Sequence, residues 1–167
     1  KYREEYGYDV WAFAMCQRVG DDLSPAPFEI MAEGRPADVN LTVYGAIVIS
    51  GRCSVLLRNL LDSVAAEFIP AEVDGVVGKW EVLNVLDRVD CLDHEQSKIR
   101  YHDLNHPRKP GKPRSVERMI IDPQRAQGSD IFRLADWEVA VIVSDRLRQA
   151  MEEARSTGVE YWCVTPK

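Results

Sequence analysis

The stretch AVIVSDRLRQAMEEARSTGVEYW, from Ala140 to Trp162, combines a strand pattern, a capped helix and a second strand pattern. Ser144 ends the first strand pattern and is typical of a helix N-cap, because its hydroxyl can accept a hydrogen bond from a first-turn amide. Gly158 lies where a left-handed residue would end the helix, and VEYWCV (159–164) is typical of a closing strand. Between them one apolar stripe recurs at helical spacing, formed by Leu147, Ala150, Met151 and Ala154.

A weaker copy of this pattern, AIVISGRCSVLLRNLLDSVAAEF, runs from Ala46 to Phe68. Ser50 takes the N-cap position, and an arginine follows the serine two residues later in both copies, as Arg52 and Arg146. Two copies are too few for a solenoid repeat, and a strand followed by a capped helix is simple enough to arise twice by chance. We favour a shared pseudo-symmetric core with both helices packed on a sheet. The second apolar stripe contains Cys53, Leu56, Leu57, Leu60, Leu61 and Val64.

Strand patterns separated by turn-forming residues occupy much of the remaining chain. With two helices, this content predicts an α+β fold, in which a mixed, mostly antiparallel sheet carries the two main helices. We expect a single domain over 1–167, with N-terminal strands in 1–45, a core in 46–167 and a flexible, proline-rich loop near 105–115. The strand patterns are VWAFAM (10–15), FEIMAE (28–33), NLTVYGAIVIS (40–50), AEFIPAEV (66–73), KWEVLNVLDRVDCLD (79–93), ERMIIDP (117–123), DIFRLA (130–135) and EVAVIVS (138–144).

Composition and charge restrict the class of partner. The chain has 167 residues, of which 46% are hydrophobic and 29% are charged, as in ordinary globular proteins. No apolar run has the length of a membrane span. The net charge is −6: residues 1–100 carry 10 Lys/Arg and 17 Asp/Glu, whereas 101–167 carry 11 and 10. An acidic first part disfavours nucleic-acid binding over most of the surface and would suit a basic protein partner.

The cysteines and the N-terminus favour the cytoplasm. The N-terminal KYREEYGYDVW lacks the basic and apolar segments of a secretory signal. The cysteines have no CxxC pair or metal-ligand spacing, and we expect buried free thiols rather than a disulfide framework. They are Cys16, Cys53, Cys91 and Cys163.

The densest polar cluster is DCLDHE (90–95), with HDLNH (102–106) shortly after it. Its carboxylates and imidazoles could bind a divalent metal, so the alternative function is a small metal-dependent hydrolase. Metalloprotease HExxH is absent, and Pro107 disfavours a helix that would align the two imidazoles. We favour a strand end and turn in which Asp93 and Glu95 cap backbone amides, and we predict no catalytic residue, metal site or cofactor. The residues of the alternative are Asp90, Asp93, His94 and His102.

Other functional motifs are weak. The nucleotide-binding loops GxGxxG and GxxxxGK[ST] and the nucleophile elbow GxSxG are absent. The basic stretch from Arg108 to Arg118 raises a third hypothesis, a nucleic-acid binder, but it lacks interleaved aromatic residues for base stacking, so a solvated loop is the better interpretation. Trp11 and Trp80 are predicted in the core.

The segment LADWEV (134–139) is predicted to be a hairpin turn between strands. There Trp137 is either packed or exposed. An exposed tryptophan beside Arg133 and Asp136 is typical of the residue sets that anchor protein interfaces.

Three stretches of the second half resemble, in order, one of the immunity-protein families of bacterial polymorphic toxin systems. They are VLNVLDRVDCLDHEQS, IIDPQRAQGSDIFRL and VIVSDRLRQAMEEARSTGVEY, and the earlier VISGRCSVLLRNLLDSVAAEFIP resembles the helix in the middle of the same family. This is immunity protein family eleven, formerly a domain of unknown function. The resemblance covers roughly 46–164, and CSVLLRN (53–59) departs from the family's charged helix face. The family positions fall on Asp90, Cys91, Asp93, Ser97, Ile131, Phe132, Arg133, Ser144, Gly158 and Glu160.

The resemblance implies a cytoplasmic antidote that binds a cognate toxin and occludes its active site. We therefore expect no enzymatic activity and a toxin as partner, which the acidic first part would attract if that toxin is basic. We expect neither nucleic acid nor membrane as a partner, and leave open whether the chain forms a homo-oligomer. The expected contact residues are Asp93, Glu95, Arg133, Asp136 and Trp137.

Overall fold

The computed structural model describes residues 10–20, 25–31, 34–42, 45–126 and 128–167. Within these ranges the chain forms a 3-10 helix (Val10–Phe13), two α-helices and twelve strands. The helices are α1 (Gly51–Arg58) and α2 (Asp145–Glu153). The strands are β1 (Ala26–Phe28), β2 (Val39–Leu41), β3 (Ile47–Ser50), β4 (Ala66–Val73), β5 (Trp80–Val85), β6 (Arg88–Val89), β7 (Lys98–Tyr101), β8 (Pro113–Arg118), β9 (Ile120–Ile121), β10 (Ile131–Leu134), β11 (Val141–Val143) and β12 (Thr165–Pro166).

The largest sheet has five strands in the order β1-β4-β5-β3-β2. All its pairs are antiparallel except β1 with β4, which is parallel. The central strand, β5, is buried along its whole length. Because neighbouring side chains point to opposite faces of a strand, Leu83 and Val85 enter one hydrophobic cluster, whereas Trp80 and Val82 enter another. The sheet is therefore covered on both faces.

The remaining strands form a three-stranded sheet, β11-β10-β6, and two strand pairs, β12 with β9 and β7 with β8. β10 runs antiparallel to β11 and parallel to β6. Its Ile131 packs into the same cluster as the five-stranded sheet, whereas Phe132 and Leu134 pack with Cys91 and Leu92 in a third cluster. The predicted α+β fold with mixed, mostly antiparallel pairing is confirmed, although the strands are divided among several sheets.

Both α-helices pack into one hydrophobic cluster. α1 contributes Cys53 and Leu57, and α2 contributes Leu147 and Met151. Leu57 and Leu147 are each only 1% exposed. The cluster is completed by Ile47, Ile49, Leu61, Ala65, Ala66, Leu83, Val85 and Ile131. The two similar stretches of sequence therefore build a shared core, as predicted.

Each helix belongs to a hairpin–helix unit. The first hairpin–helix unit is Asp38, β2, β3 and α1, and the second is Asp130, β10, β11 and α2. Ser50 donates its hydroxyl to Asp38 Oδ1 at 2.8 Å, and Ser144 donates to Asp130 Oδ1 at 2.5 Å. Each serine oxygen also accepts the backbone N–H three residues later, so both predicted N-caps are confirmed.

The arginine after each cap connects the two units. Arg52 binds the aspartate of its own unit and donates to the carbonyl of Ala154, the C-cap of α2, at 2.8 Å. Arg146 likewise binds its own aspartate and donates to the carbonyl of Leu60, just after α1, at 2.8 Å. Carbonyls at a helix C-terminus lack partners within the helix, and a cation there also interacts favourably with the helix dipole. Each unit therefore completes the other unit's helix.

The end of α2 differs from the prediction. Arg155 takes the left-handed conformation, with φ of 53°, and donates its N–H to the Glu152 carbonyl at 2.9 Å. The next N–H donates to the Met151 carbonyl at 2.9 Å, which completes a Schellman motif. The prediction that Gly158 ends the helix is wrong. Gly158 is required instead because a Cβ at this position would overlap the carbonyl oxygen of Val39, where the chain crosses β2.

α1 is shorter than its apolar stripe predicted. The helix ends at Arg58, and Leu61 reaches the core from the turn that follows. Val64 is 69% exposed, so its predicted place in the stripe is wrong. Within CSVLLRN (53–59), Ser54 and Arg58 both bind the carboxylate of Glu81, which is 3% exposed. A buried carboxylate needs such partners.

Several strand predictions are corrected. VWAFAM forms the 3-10 helix, NLTVYGAIVIS is divided into β2 and β3, and VEYWCV is not a strand, since the strand near the C-terminus is β12. In FEIMAE only Phe28 belongs to a strand among the described residues. KWEVLNVLDRVDCLD is interrupted at residues 86–87, between β5 and β6. Strand formation depends on a hydrogen-bonding partner, which local apolar pattern does not specify.

The loop predicted at 105–115 is partly a strand. Residues 113–115 belong to β8 and pair with β7. The remaining residues form a turn that the His102 N–H closes by donating to the Lys112 carbonyl at 2.9 Å. The flexibility of this loop stays a prediction.

All four cysteines are free thiols, as predicted. Cys53 and Cys91 are buried, and this burial raises the pKa of each to about 11. Cys163 is exposed and Cys16 is half-buried, so the prediction of burial is wrong for these two.

The predicted burial of the two tryptophans is tested at one position. Trp80 is buried as predicted, whereas the side chain of Trp11 lies outside the described residues.

No helix in the described ranges is long and apolar enough to span a membrane.

Candidate partner-binding surface

A polar network joins the β10–β11 loop to the β7–β8 hairpin. Asp136 Oδ1 accepts from Lys112 Nζ at 2.7 Å, and its Oδ2 lies 3.2 Å from His94 Nε2. The other nitrogen of His94, Nδ1, lies 3.1 Å from the Tyr101 hydroxyl. The bond from Lys112 lowers the pKa of Asp136, so its carboxylate stays charged. These four residues, here called the His94–Asp136 network, bring together two segments that the sequence singled out separately.

Asp93 holds the turn that precedes β7. Its Oδ1 accepts the N–H groups of Glu95 and Gln96 at 3.0 and 2.9 Å, and its Oδ2 lies 2.7 Å from Lys167 Nζ. Lys167 and then the backbone bonds lower the pKa of Asp93 to about 2. Its side chain is only 6% exposed. The prediction that Asp93 caps backbone amides is confirmed.

Glu95 is exposed beside the network. Its carboxylate makes no hydrogen bond or ion pair with the residues that the structure describes, so the capping role belongs to Asp93 alone. Glu95 lines an open depression of about 280 Å³ that contains both acidic and basic groups. The lining residues are Cys91, Leu92, Asp93, His94, Glu95, Asp122, Arg125 and Lys167.

Arg133 lies in the interior, with 2% exposure. Its Nη1 donates to the Glu138 carbonyl at 2.7 Å, and its Nη2 donates to the Gly45 carbonyl at 3.0 Å. Its Nε has no hydrogen-bond partner among the described residues. Burial lowers the pKa of this guanidinium. Arg133 therefore ties the β10–β11 loop to the chain before β3 and does not reach the surface predicted for it.

Trp137 is half-buried on the same loop. Part of its ring packs against the cluster that contains Phe132 and Leu134. The loop joins two antiparallel strands, and the Ala140 N–H donates to the Trp137 carbonyl at 3.1 Å, so the predicted hairpin turn is confirmed. Trp137 is thus held by the core on one side, next in sequence to Asp136, whose side chain is 32% exposed.

The residues of the metal-hydrolase alternative have separate partners. Asp90 lies 3.5 Å from Arg125 Nη1, Asp93 pairs with Lys167, and the His94 ring bonds to Asp136 and Tyr101. His102 packs against His106, with ring centroids 4.3 Å apart. In the part of the chain that the structure describes, no three His, Cys, Asp or Glu side chains are placed to hold a metal ion. Nothing in this geometry supports the alternative.

The sequence did not reveal how the network is connected. The sequence predicts a solvated loop around Lys112, and its partner Asp136 is 24 residues away. A short-range motif cannot show such a pairing, because it depends on where β7 and β8 place their loop. Trp162 is a further surface residue that the strand pattern does not indicate, since this residue is 82% exposed.

Comparison with curated proteins finds no match to the chain. The model of the immunity protein family (Imm11) matches residues 11–165. This match includes the motifs from which the resemblance was inferred and extends it into the N-terminal segment, which those motifs did not cover. Since the match covers nearly the whole sequence, the chain belongs to the immunity protein family (Imm11).

Proposed function

We propose that the protein neutralises a cognate toxin by binding it and covering its active site. Family membership supports an immunity role. The observation that carries the mechanism is the His94–Asp136 network, in which the Lys112–Asp136 ion pair and the hydrogen bonds of His94 hold partly exposed polar groups in place across two hairpins. A surface whose side chains are already ordered loses less entropy when it docks.

Within this proposal, Asp136, Trp137 and Glu95 contact the toxin. Asp93 and Arg133 act as positioning residues, because the first orders the turn that carries Glu95 and the second holds the β10–β11 loop from inside. This division keeps the five predicted residues but assigns them to two roles according to their burial.

The proposed antidote acts stoichiometrically and catalyses no reaction. An immunity protein needs a stable scaffold and a complementary surface, and the side chains of the His94–Asp136 network are engaged with one another. We place the encounter in the cytoplasm, within a polymorphic toxin system whose toxin is encoded beside its antidote. The free thiols at Cys53 and Cys91 are consistent with a reducing compartment.

Co-expression with the protein encoded by the neighbouring gene tests the proposal. We expect the neighbour to arrest growth alone, co-expression to restore growth, and the two proteins to purify as a stoichiometric complex. Asp136→Arg should weaken the complex at least about tenfold, because it reverses a fixed charge in the contact surface. Glu153→Arg is the matched control, since this exposed carboxylate on α2 forms no ion pair with the described residues.

Absence of both complex and growth rescue would contradict the proposed function. Turnover of a substrate by the purified protein, lost in Asp93→Asn or His94→Gln, would contradict its stoichiometric mechanism.

A further inference from the structure

Charge is divided unevenly between the β7–β8 hairpin and the rest of the chain. The hairpin, residues 97–118, carries seven Lys/Arg and two Asp/Glu, whereas the remainder carries fourteen and twenty-five. The net charge of −6 therefore combines a basic hairpin with an acidic remainder of the chain, here called the body. Such a distribution orients an approaching charged partner and not only attracts it.

Most of the positive charge on the hairpin is not neutralised. Lys98 and Arg100 share the carboxylate of Glu117, and Lys112 pairs with Asp136. The other four cations are exposed and form no ion pair with any described residue. They are Arg108, Lys109, Arg114 and Arg118.

Two imidazoles lie among these cations in residues 102–114, here called the basic tip. The rings of His102 and His106 pack together, with centroids 4.3 Å apart. Burial, followed by the charges of His106, Arg114 and Lys109, lowers the pKa of His102. Arg114 and Lys109, from opposite sides of the turn, therefore both act on His102.

Hydrogen bonds tie the backbone of the basic tip. His106 Nδ1 accepts the N–H groups of Arg108 and Lys109 at 3.3 and 3.0 Å, and the His106 N–H donates to the Asp103 carbonyl at 2.9 Å. The ion pair between Lys112 and Asp136 then fixes the tip to the body. The backbone that carries the cations is therefore held in place, and Lys112 connects it to Asp136 of the proposed contact surface.

The composition of the tip favours a protein surface over nucleic acid. Leu104 is 81% exposed in the same tip as Arg108 and Arg114, and protein interfaces are enriched in arginine and have an apolar core. The tip, residues 102–114, contains no Phe, Tyr or Trp on which bases could stack, and its two imidazoles pack against each other.

We propose that the basic tip docks onto an acidic surface of the toxin and sets the orientation in which the toxin is bound. This inference rests on the proposed function. Carboxylates on the toxin meet Arg108, Lys109 and Arg114, while the acidic body of the antidote meets a more basic region of the same partner.

Toxin binding by a charge-reversed tip tests the inference. The double variant Lys109→Glu, Arg114→Glu should slow association with the purified toxin at least about tenfold and reduce the salt dependence of the rate. The neutral double variant Lys109→Gln, Arg114→Gln should show a smaller loss in the same direction. Arg35→Glu, which reverses an exposed arginine of the body, changes the net charge by the same amount as the neutral double variant; it is the charge control for that variant and should not slow association. Thermal unfolding of each variant verifies that it folds.

The possible outcomes separate the inference from the proposed function. If the wild-type protein neutralises the toxin and the tip variants bind as fast as Arg35→Glu, the inference is wrong and the proposed function stands. If the wild-type protein does not bind the toxin, both are wrong. Tight, salt-dependent binding of a short single-stranded DNA or RNA to the wild-type protein, lost in the tip variants, would overturn the assignment of the tip to a protein partner.

Discussion

The two hairpin–helix units contain the same three residue types, an aspartate, a serine and an arginine, but their strands take different positions in the sheets. In the first unit the strand that leads into the helix, β3, is interior, since it pairs with both β2 and β5. In the second unit the strand that follows the aspartate, β10, is interior, and β11 lies at an edge. The serine, arginine and aspartate nevertheless adopt the same contacts in both. Their local geometry therefore does not depend on which strand of the hairpin lies inside.

The surroundings of the two aspartates do differ. Asp38 accepts the N–H and the hydroxyl of Thr157, each at 3.0 Å, in addition to its bonds from Ser50 and Arg52. Asp130 accepts only from the serine and arginine of its own unit among the described residues. Thr157, from a distant part of the chain, thus adds hydrogen bonds to the aspartate of the first unit only. Mutation can test this difference between the two units.

The largest effect is expected where the two units share their core. Leu57→Ala and Leu147→Ala should each lower the free energy of unfolding by about 3 kcal/mol, because each removes a fully buried side chain and leaves a cavity. Urea denaturation measures both. The exposed Val55→Ala is the control and should change stability by less than about 0.5 kcal/mol. A loss below about 1 kcal/mol for one leucine alone would show that the units do not contribute equally to the core.

The next effect concerns the aspartates. Asp38→Asn should cost about 2 kcal/mol and Asp130→Asn about 1 kcal/mol, since charge-assisted hydrogen bonds weaken in both but more of them converge on Asp38. Urea denaturation of both variants gives the comparison. The control is Asp74→Asn, since the exposed Asp74 carboxylate forms no hydrogen bond or ion pair with the described residues. Equal losses at positions 38 and 130 would mean that Thr157 adds nothing to the first unit.

A smaller effect is expected at the caps. Ser50→Ala and Ser144→Ala should each cost about 1 kcal/mol, because each leaves a first-turn amide without its acceptor. The two losses should agree within error, as the geometry of the two caps is the same. Thermal unfolding of the two variants measures the agreement, and a clear difference would show that the caps depend on their different sheets.

The smallest effect is expected in the pH dependence. The bond from Arg52 lowers the pKa of Asp38 strongly, and the bond from Arg146 lowers that of Asp130. A carboxyl with a depressed pKa in the folded state contributes stability that is present above its unfolded pKa, about 4, and is lost as the pH falls further. Asp38→Asn should therefore lose less stability than the wild type between about pH 5 and pH 3, and Asp130→Asn should show the same change to a smaller extent. Urea midpoints across this range decide it.

The residues of the proposed contact surface were predictable only in part. Asp93, Glu95, Asp136 and Trp137 were selected because polar clusters and a tryptophan at a turn are local features. Arg133 was selected for the same reason, yet its side chain points inward because β10 alternates between two packed faces. The elements packed against a strand decide which of its faces is exposed to solvent. The burial of Arg133 could therefore not be predicted from its neighbours in sequence.

The amino-acid sequence alone determined the elements that depend on neighbouring residues: the two serine caps, most of the apolar stripes and the strand-rich, α+β character of the chain. These follow from hydrogen bonds and side-chain spacing within a few residues. Only the tertiary structure decided three sets of contacts. The capping serines donate to Asp38 and Asp130, and Arg52 and Arg146 each donate to a carbonyl at the end of the other unit's helix. The third set joins Asp136 to His94 and Lys112. Those contacts join residues from 12 to 102 positions apart, and charge pairing over such separations exists only after the strands have brought the partners together.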